Sequence, residues 1–294
     1  MPVIDAHHHV WWHAKRPHHW PEGSNAGATL DRDFTPEHLA AEIKRSGVDG
    51  TILVQSLNEA EETNEFLDIA DQYDFLRGVI GWVPLDDPTE AERALDALAS
   101  RKKLVGIRHL LRMEKAQDWL SRPGVIESVR QLAKRNLVFE LVPVGADQFE
   151  QAFALARAVP DIEIIFDHLG RPPVPEQGWE PWASLIARSA EHPNIGIKLS
   201  AGMALVAHWK WSTDALRRYT DHVLDTFGAE RVLAASNWPP SLLAGSYEEI
   251  WRGTTELLSA LSSDERAAVL GNNAQRLYRL EISLGRGCPQ QVRA

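Results

Sequence analysis

Two imidazoles on the same face of a strand can share a metal ion or a proton, and this chain carries such a pair near its start. In Val3-Ile4-Asp5-Ala6-His7-His8-His9-Val10-Trp11, three consecutive histidines close an apolar, β-branched run. Side chains alternate faces along a strand, so His7 and His9 point one way and His8 the other. Imidazole ligates divalent metals and titrates near neutral pH, which makes His7 and His9 candidate catalytic residues and candidate metal ligands. His8 is expected to pack between strand and helix. A purification tag fits poorly, because the triplet is short and continues a strand pattern. A histidine-rich surface tract is the competing reading, since six of the twelve histidines precede residue 20. His13, His18, His19, His38, His192, His208 and His222 read as surface or loop residues.

The elements that must position this pair recur along the chain. Eight short apolar runs, 3–7, 50–55, 76–82, 104–108, 137–142, 162–167, 194–199 and 231–235, alternate with amphipathic stretches. Helices are expected over 36–45, capped by Thr35 with Pro36 at the first position, and over 62–72, 90–100, 124–135, 149–158, 179–190, 213–227, 246–261 and 264–280. Strand-helix alternation of this kind builds a parallel sheet, and eight units close most simply into a single (β/α)8 TIM barrel. The length of 294 residues suits one such domain spanning 1–294. Within it, the Gly/Pro/His-rich loop 12–34 reads as a lid or flap and 281–294 as a tail. An open doubly wound sheet is the rival, but no Gly-x-Gly-x-x-Gly turn follows the first strand.

Active sites of these barrels form at the C-terminal ends of the strands, so the residues there are diagnostic. They are His7 and His9, Gln55, Trp82, Arg108 with His109, Glu140, Asp167 with His168, Lys198 with Ser200, and Ser236 with Asn237. Buried charges cost several kcal/mol unless paired, so a ring of them points to an enzyme. Glu140 is either a structural ion-pair partner or an acid/base group. Lys198 either balances Asp167 or Glu140 or touches substrate, and His109 either supports Arg108 or faces the pocket. Gln55, Arg108 and the tryptophans Trp11, Trp82 and Trp238 are candidate substrate contacts and pocket walls.

Composition excludes several classes. A net charge of -10 argues against a nucleic-acid or anionic-membrane partner. One cysteine, Cys288, permits no internal disulfide and no cysteine-rich metal site. No basic leader with an apolar core opens the chain and no run approaches about 18 apolar residues, so a cytoplasmic enzyme is the expectation.

The ordered motifs also resemble a known family. Ile4-Asp5-Ala6-His7-His8-His9, Gly78-Val79-Ile80-Gly81-Trp82, Gly106-Ile107-Arg108-His109, Asp167-His168-Leu169-Gly170-Arg171-Pro172, Lys198-Leu199-Ser200 and Ser236-Asn237-Trp238-Pro239 are similar to motifs of the amidohydrolase family 2 branch, more narrowly its lactonase group. The likeness runs from residue 3 to about 280, through Asn272-Asn273-Ala274-Gln275-Arg276-Leu277-Tyr278. It implies a distorted barrel in which His7, His9 and His168 surround the reacting carbonyl. In some members these histidines hold Zn²⁺ or another divalent cation and in others no metal. It also implies that Arg108 or Arg171 pairs with a substrate carboxylate or hydroxyl, for which the guanidinium fork is suited. The implied reaction is water attack on a lactone, or related cyclic ester or amide, of a sugar acid or carboxylated ring compound. The implied partner is that small molecule, with a homo-oligomer as a further expectation. A lactone isomerase or decarboxylase on the same barrel, and a non-catalytic binder, are the alternatives.

One residue departs from the pattern. Where the family's last strand ends in Ser-Asp-Trp-Pro, this chain has Ser236-Asn237-Trp238-Pro239. The family aspartate is expected to take a proton from water or to ligate metal, and an amide has no basic lone pair for either. Three explanations stand: another base (His168, Glu140 or His109), a changed or lost reaction, or a deliberate Asp to Asn exchange that traps substrate.

Overall fold

Every apolar run becomes a strand, and each strand pairs in parallel with the next in sequence. The computed structural model describes residues 1–21, 23–114 and 116–281. Its strands are β1 (Ile4–His8), β2 (Gly50–Val54), β3 (Leu76–Gly81), β4 (Leu104–Arg108), β5 (Val138–Leu141), β6 (Ile164–Phe166), β7 (Ile195–Leu199) and β8 (Val232–Ala234), ordered β1 to β8 in one sheet. The ends of the sheet meet through loop backbone: Asn237 N donates to His7 O (2.9 Å) and His9 N donates to Trp238 O (2.8 Å). The expected (β/α)8 barrel is what forms. Several strands are one or two residues shorter than their apolar runs at one or both ends, whereas β1 runs one residue past its own, to His8.

The outer layer contains α1 (Pro36–Ser46), α2 (Ala60–Gln72), α3 (Pro88–Ala97), α4 (Pro123–Lys134), α5 (Gly145–Ala158), α6 (Trp182–Ala190), α7 (Thr213–Phe227) and α8 (Tyr247–Leu257). Thr35 caps α1 as expected, with His38 reaching back to the Thr35 amide. Two hydrophobic clusters result. The larger lies between strands and helices, and the smaller, including Ile4, Ala6, Ile52, Val54, Ile80, Val138, Ile165 and Leu233, fills the barrel interior. The expected helix 264–280 forms as one continuous helical run from Ser263 to Leu277, with a wider, π-wound turn at Ala268–Asn272 in its middle. Gly271 lies in that turn, where a Cβ would fall 1.9 Å from the Pro2 carbonyl oxygen, so side-chain-free backbone lets the chain start pack here. Beyond it, Leu277 and Tyr278 pack against the interior cluster. Cys288 and the tail from 282 lie outside the described residues. Among those described, no helix is long and apolar enough to cross a membrane.

The first strand is not regular, and the irregularity makes the site. Asp5 is paired with Thr51 but His8 with Leu53, so β1 holds one extra residue between them. Strict alternation from Ile4 and Ala6, which face the interior, would turn His7 outward. The bulge turns His7 inward beside His9 and leaves Asp5 and His8 outside.

The outward Asp5 then clips the barrel shut. Its carboxylate accepts from Ser236 N (2.8 Å), Ser236 Oγ (2.6 Å) and Tyr247 OH (3.1 Å), tying β1 to the end of β8 and to α8. Desolvation by burial pushes its carboxyl up to about 6, against these hydrogen bonds.

Loop 12–34 is a folded arm. Trp11 and Phe34 exchange backbone hydrogen bonds (2.9 and 2.8 Å) at its base, and Trp11 Nε1 donates to Arg32 O (2.9 Å). Arg16 anchors the arm to α2 through Glu65 and to Glu59 just before that helix.

Replacing Asp5 by Ala strands the Ser236 amide and two hydroxyls in the interior. Unfolding stability is expected to fall by about 2–4 kcal/mol in denaturant titration, against about 1 kcal/mol or less for a surface Asp such as Asp96.

Candidate active site

The barrel mouth is built around His7. Its Nε2 lies 3.2 Å from His9 Nε2, and its ring centroid lies 4.9 Å from that of His9 and 4.7 Å from that of His168. On its other side, Nδ1 lies 3.1 Å from Lys198 Nζ and 3.3 Å from Asp167 Oδ1. His9 Nδ1 donates to the Val54 carbonyl (2.8 Å), which leaves the His9 lone pair on Nε2. His7 is fully buried, whereas His9 and His168 keep 6% and 7% of their surface exposed. They are therefore the two imidazoles that can meet a small molecule.

Below the histidines sits a closed set of charges. Lys198 Nζ contacts Glu140 Oε2 (2.6 Å) and Asp167 Oδ1 (3.1 Å), and Arg108 Nη1 contacts Asp167 Oδ2 (3.1 Å). Tyr278 OH donates to Glu140 Oε1 (2.7 Å). Two cations and two carboxylates thus balance. Asp167 stays ionised: burial opposes its charge, but Lys198, His7 and Arg108 together hold its carboxyl well below the usual range. Glu140 goes the other way, pushed up to about 7 by burial against the attraction of Lys198. Burial also drives the imidazoles neutral. His7 and His9 fall well below the ordinary value, and His168 is pushed down to about 3.

Three elements bring in the remaining groups. The end of β6 runs into a turn in which His168, Leu169, Gly170 and Arg171 all have positive φ (56°, 52°, 62° and 63°), a strained run that aims His168 at His7. His168 Nδ1 lies 2.8 Å from Ser200 Oγ, just past β7. Past β8, Asn237 is 1% exposed with φ 56°, and its Nδ2 donates to the Ala201 carbonyl (2.8 Å).

Several expected residues have other duties. Of the two roles open to each, Glu140 and Lys198 take the ion-pair one: both are fully buried and paired with each other beneath His7. Gln55 is buried as well, accepting from Arg108 Nη2 through its backbone carbonyl and donating from Nε2 to Arg108 O (3.1 Å), so it orients Arg108. His109 accepts from Trp82 Nε1 (3.1 Å), donates to Glu114 (2.7 Å) and stacks 3.8 Å from Trp119; it is an anchor of the β4 loop. Trp11 and Trp238 are buried against Phe34 under the arm, while Trp82 is half-buried. Arg171 is exposed. His8 faces away as expected, 2.9 Å from Thr51 Oγ1. His18 is no surface residue: it lies between Trp11 and Trp20 and 2.9 Å from Ser56 Oγ.

The donor set for a metal also differs from the expected trio. Among the described residues, His7, Asp167 and His168 each place one ligand atom within 4.8 Å of the others. His9 stands beside this group, its Nε2 3.2 Å from His7 Nε2 and its Nδ1 bound to the Val54 carbonyl. The sequence places Asp167 and Ser200 in the ring at the mouth without assigning them a role, and it does not place Tyr278 in the site at all. Nothing local marks Tyr278, about 80 residues beyond its nearest partner in the chain.

A parallel barrel with imidazoles, guanidinium and carboxylates gathered at its C-terminal mouth defines a barrel hydrolase with a histidine-cluster site. The chain matches the amidohydrolase family over residues 4–280. It belongs to that family and is a hydrolase. An L-fucono-1,5-lactonase of Burkholderia ambifaria is 35% identical over 289 residues, 96% of this chain and 97% of the relative. An amidohydrolase from Burkholderia multivorans, solved with bound HEPES, superposes with a TM-score of 0.85 at 27% identity, covering 96% of this chain and 100% of that one. The same protein solved with bound zinc gives 0.84. A probable 2-pyrone-4,6-dicarboxylic acid hydrolase from Acinetobacter baumannii shares the fold, with a TM-score of 0.74 at 17% identity over 95% of this chain and 100% of that one.

The neutral histidines predict a pH dependence of stability. Unfolded imidazoles bind protons below about 6.5, whereas folded His8 and His168 do so only near about 3, so stability is complete above 6.5 and falls as pH drops through that window. Each such histidine contributes a slope of up to about 1.4 kcal/mol per pH unit. Asp5 and Glu140, raised to about 6 and about 7, act oppositely: their stabilisation is complete below the ordinary carboxyl range and is lost as pH rises through 6 to 7. The buried histidines, His7, His8, His9, His109 and His168, outweigh these two carboxyls, so denaturant titrations should give lower stability at pH 5 than at pH 7.5. The His8→Gln variant should flatten that difference without touching the mouth. Separately, Lys198→Met leaves Asp167 and Glu140 short of a counter-charge and should cost about 3–5 kcal/mol, read as a fall in melting temperature.

Proposed function

We propose that this hydrolase opens a lactone of a sugar acid or carboxylated ring compound. The observation that carries the reading is the cluster of neutral imidazoles His7, His9 and His168 at the mouth, above a balanced set of buried charges. The similarity to an L-fucono-1,5-lactonase supports the substrate class.

His9 is the group assigned to receive the water proton. The Val54 bond fixes its tautomer and leaves the basic lone pair on Nε2, 3.2 Å from His7 Nε2. Water adds to the carbonyl carbon as its proton passes to His9 Nε2. The tetrahedral intermediate then breaks its ring C–O bond, and the leaving alkoxide takes that proton, giving the hydroxy acid. His168, accepting from Ser200 at Nδ1, presents an N–H at Nε2 to the carbonyl oxygen as it becomes negative. Arg108 Nε is a buried donor without a partner among the described residues, available to a substrate oxygen, and Arg171 closes the rim. Lys198 and Asp167 position His7, which in turn buttresses the other two rings.

The residues also fit a divalent metal. Two imidazole nitrogens 3.2 Å apart match the edge of a tetrahedron with metal–nitrogen bonds of about 2.0–2.1 Å. His7, Asp167 and His168, with His9 adjacent, would hold the ion, and a zinc-bound relative structure supports this. When bound, the metal supplies Lewis-acid polarisation of the carbonyl and a more acidic water.

His168→Ala should lower kcat by about 10²-fold or more while leaving the melting temperature within a few degrees, because the side chain is held by one hydrogen bond at the mouth. The assay is proton release from a panel of aldonolactones and carboxylated lactones followed with a pH indicator. Undiminished turnover would overturn the assignment.

A further inference from the structure

Position 237 lies in a setting that suits an amide and not a carboxylate. Asn237 Nδ2 donates to the Ala201 carbonyl at 2.8 Å. A carbonyl oxygen is only an acceptor, so the atom facing it must carry hydrogen. An ionised aspartate of the same shape would set oxygen against oxygen there, inside a site where Asn237 is 1% exposed. The backbone leaves little freedom for the side chain to escape. Asn237 N donates to His7 O (2.9 Å), its carbonyl accepts from Ser241 N (3.0 Å), and its φ of 56° is a conformation that asparagine tolerates well.

The same three residues past β7 serve His168. Ser200 Oγ lies 2.8 Å from its Nδ1, and a Cβ at Gly202 would fall 3.0–3.1 Å from its ring and Cβ atoms. Ser200, Ala201 and Gly202 therefore form one cradle, holding an imidazole from β6 on one side and an amide from β8 on the other.

We infer that Asn237 is a positioning residue matched to the Ala201 carbonyl, which holds the attacking water through Oδ1, and not a vacated place for a base. The inference rests on the lactonase reading for the identity of that water. With Nδ2 turned to Ala201, the planar amide presents Oδ1 on the opposite side, an acceptor that orients a water hydrogen but cannot remove it. The proton goes to His9, as above.

The test compares Asn237→Asp and Asn237→Ala with the wild type in the lactone assay, together with the side-chain carboxamide signal of Asn237 in ¹⁵N-labelled protein, assigned by its loss in the Ala variant. A fall of fivefold or more in kcat for the Asp variant, with KM little changed and kcat no better than that of the Ala variant, supports the inference. A smaller fall, a gain, or an Asp variant superior to Ala overturns it, because the position then accommodates a base. Carboxamide protons that exchange several-fold more slowly than those of exposed asparagines support the Ala201 bond; exchange as fast as exposed ones overturns it. That spectrum is independent of turnover, so it decides the matter if no lactone is hydrolysed or if the Asp variant does not fold. Failure on every lactone with a protected carboxamide would defeat the lactonase reading alone.

Discussion

The contact of Lys198 with Glu140, Asp167 and His7 is the constraint on which the mouth of this barrel depends. An ammonium with no exposure must be surrounded by acceptors, and two carboxylates and an imidazole nitrogen provide them. Each of those acceptors is then fixed in turn. Asp167 is held by Arg108, Glu140 by Tyr278, and His7 by the rings on either side. A charge set that balances internally can be buried and still present neutral imidazoles above it. Burial of polar groups, usually a cost, here buys rigidity for the groups that face the substrate.

Strand irregularity links the fold to that set. Without the bulge between Asp5 and His8, the first strand could not place Ile4 and Ala6 in the apolar interior and His7 above them on the same side. Asp5, on the outward face that regular alternation from Ile4 and Ala6 gives it, reaches Ser236 and Tyr247, two positions from the His7 that the bulge turns inward. Barrel closure and site geometry are in this sense one feature. The left-handed turn at 168–171 and the left-handed Asn237 are the matching distortions on β6 and β8.

Much of this was legible in the residues because it is periodic or local. Eight apolar runs fixed the barrel, and the polar residues closing them marked its mouth. The pair His7 and His9 followed from alternation, although the alternation holds only past the bulge, which no pattern in Ile4-Asp5-Ala6-His7 announces. What was not legible was direction. Glu140, Lys198 and Gln55 stand at strand ends like the reactive residues, and only three-dimensional pairing shows that they face inward partners. Asp167 joins the donor group through its contact with His7, and Tyr278 reaches Glu140 from the far end of the chain. His18 is the loop residue the sequence implies, but its packing was not legible: the arm folds back and places it between Trp11 and Trp20.

The distribution of donors and acceptors around the mouth gives the reaction a direction. Arg108 Nε, His168 and Arg171 come from β4 and the β6 turn, and all three offer hydrogen. His9 Nε2 and the Asn237 amide oxygen come from β1 and the end of β8, and both offer lone pairs. On the lactonase reading proposed above, a lactone whose carbonyl oxygen turned toward the donors would expose its carbonyl carbon to the acceptors, where water would be held by its hydrogens with its own lone pair free. The cations Arg108 and Lys198 are matched by Asp167 and Glu140, so the buried set beneath the imidazoles is balanced, and Arg171 adds a positive charge at the rim. Negative charge develops only when water adds, and it develops on the side where the donors already point. That is the condition for stabilising the transition state more than the bound lactone, and it follows from which strands supply which groups.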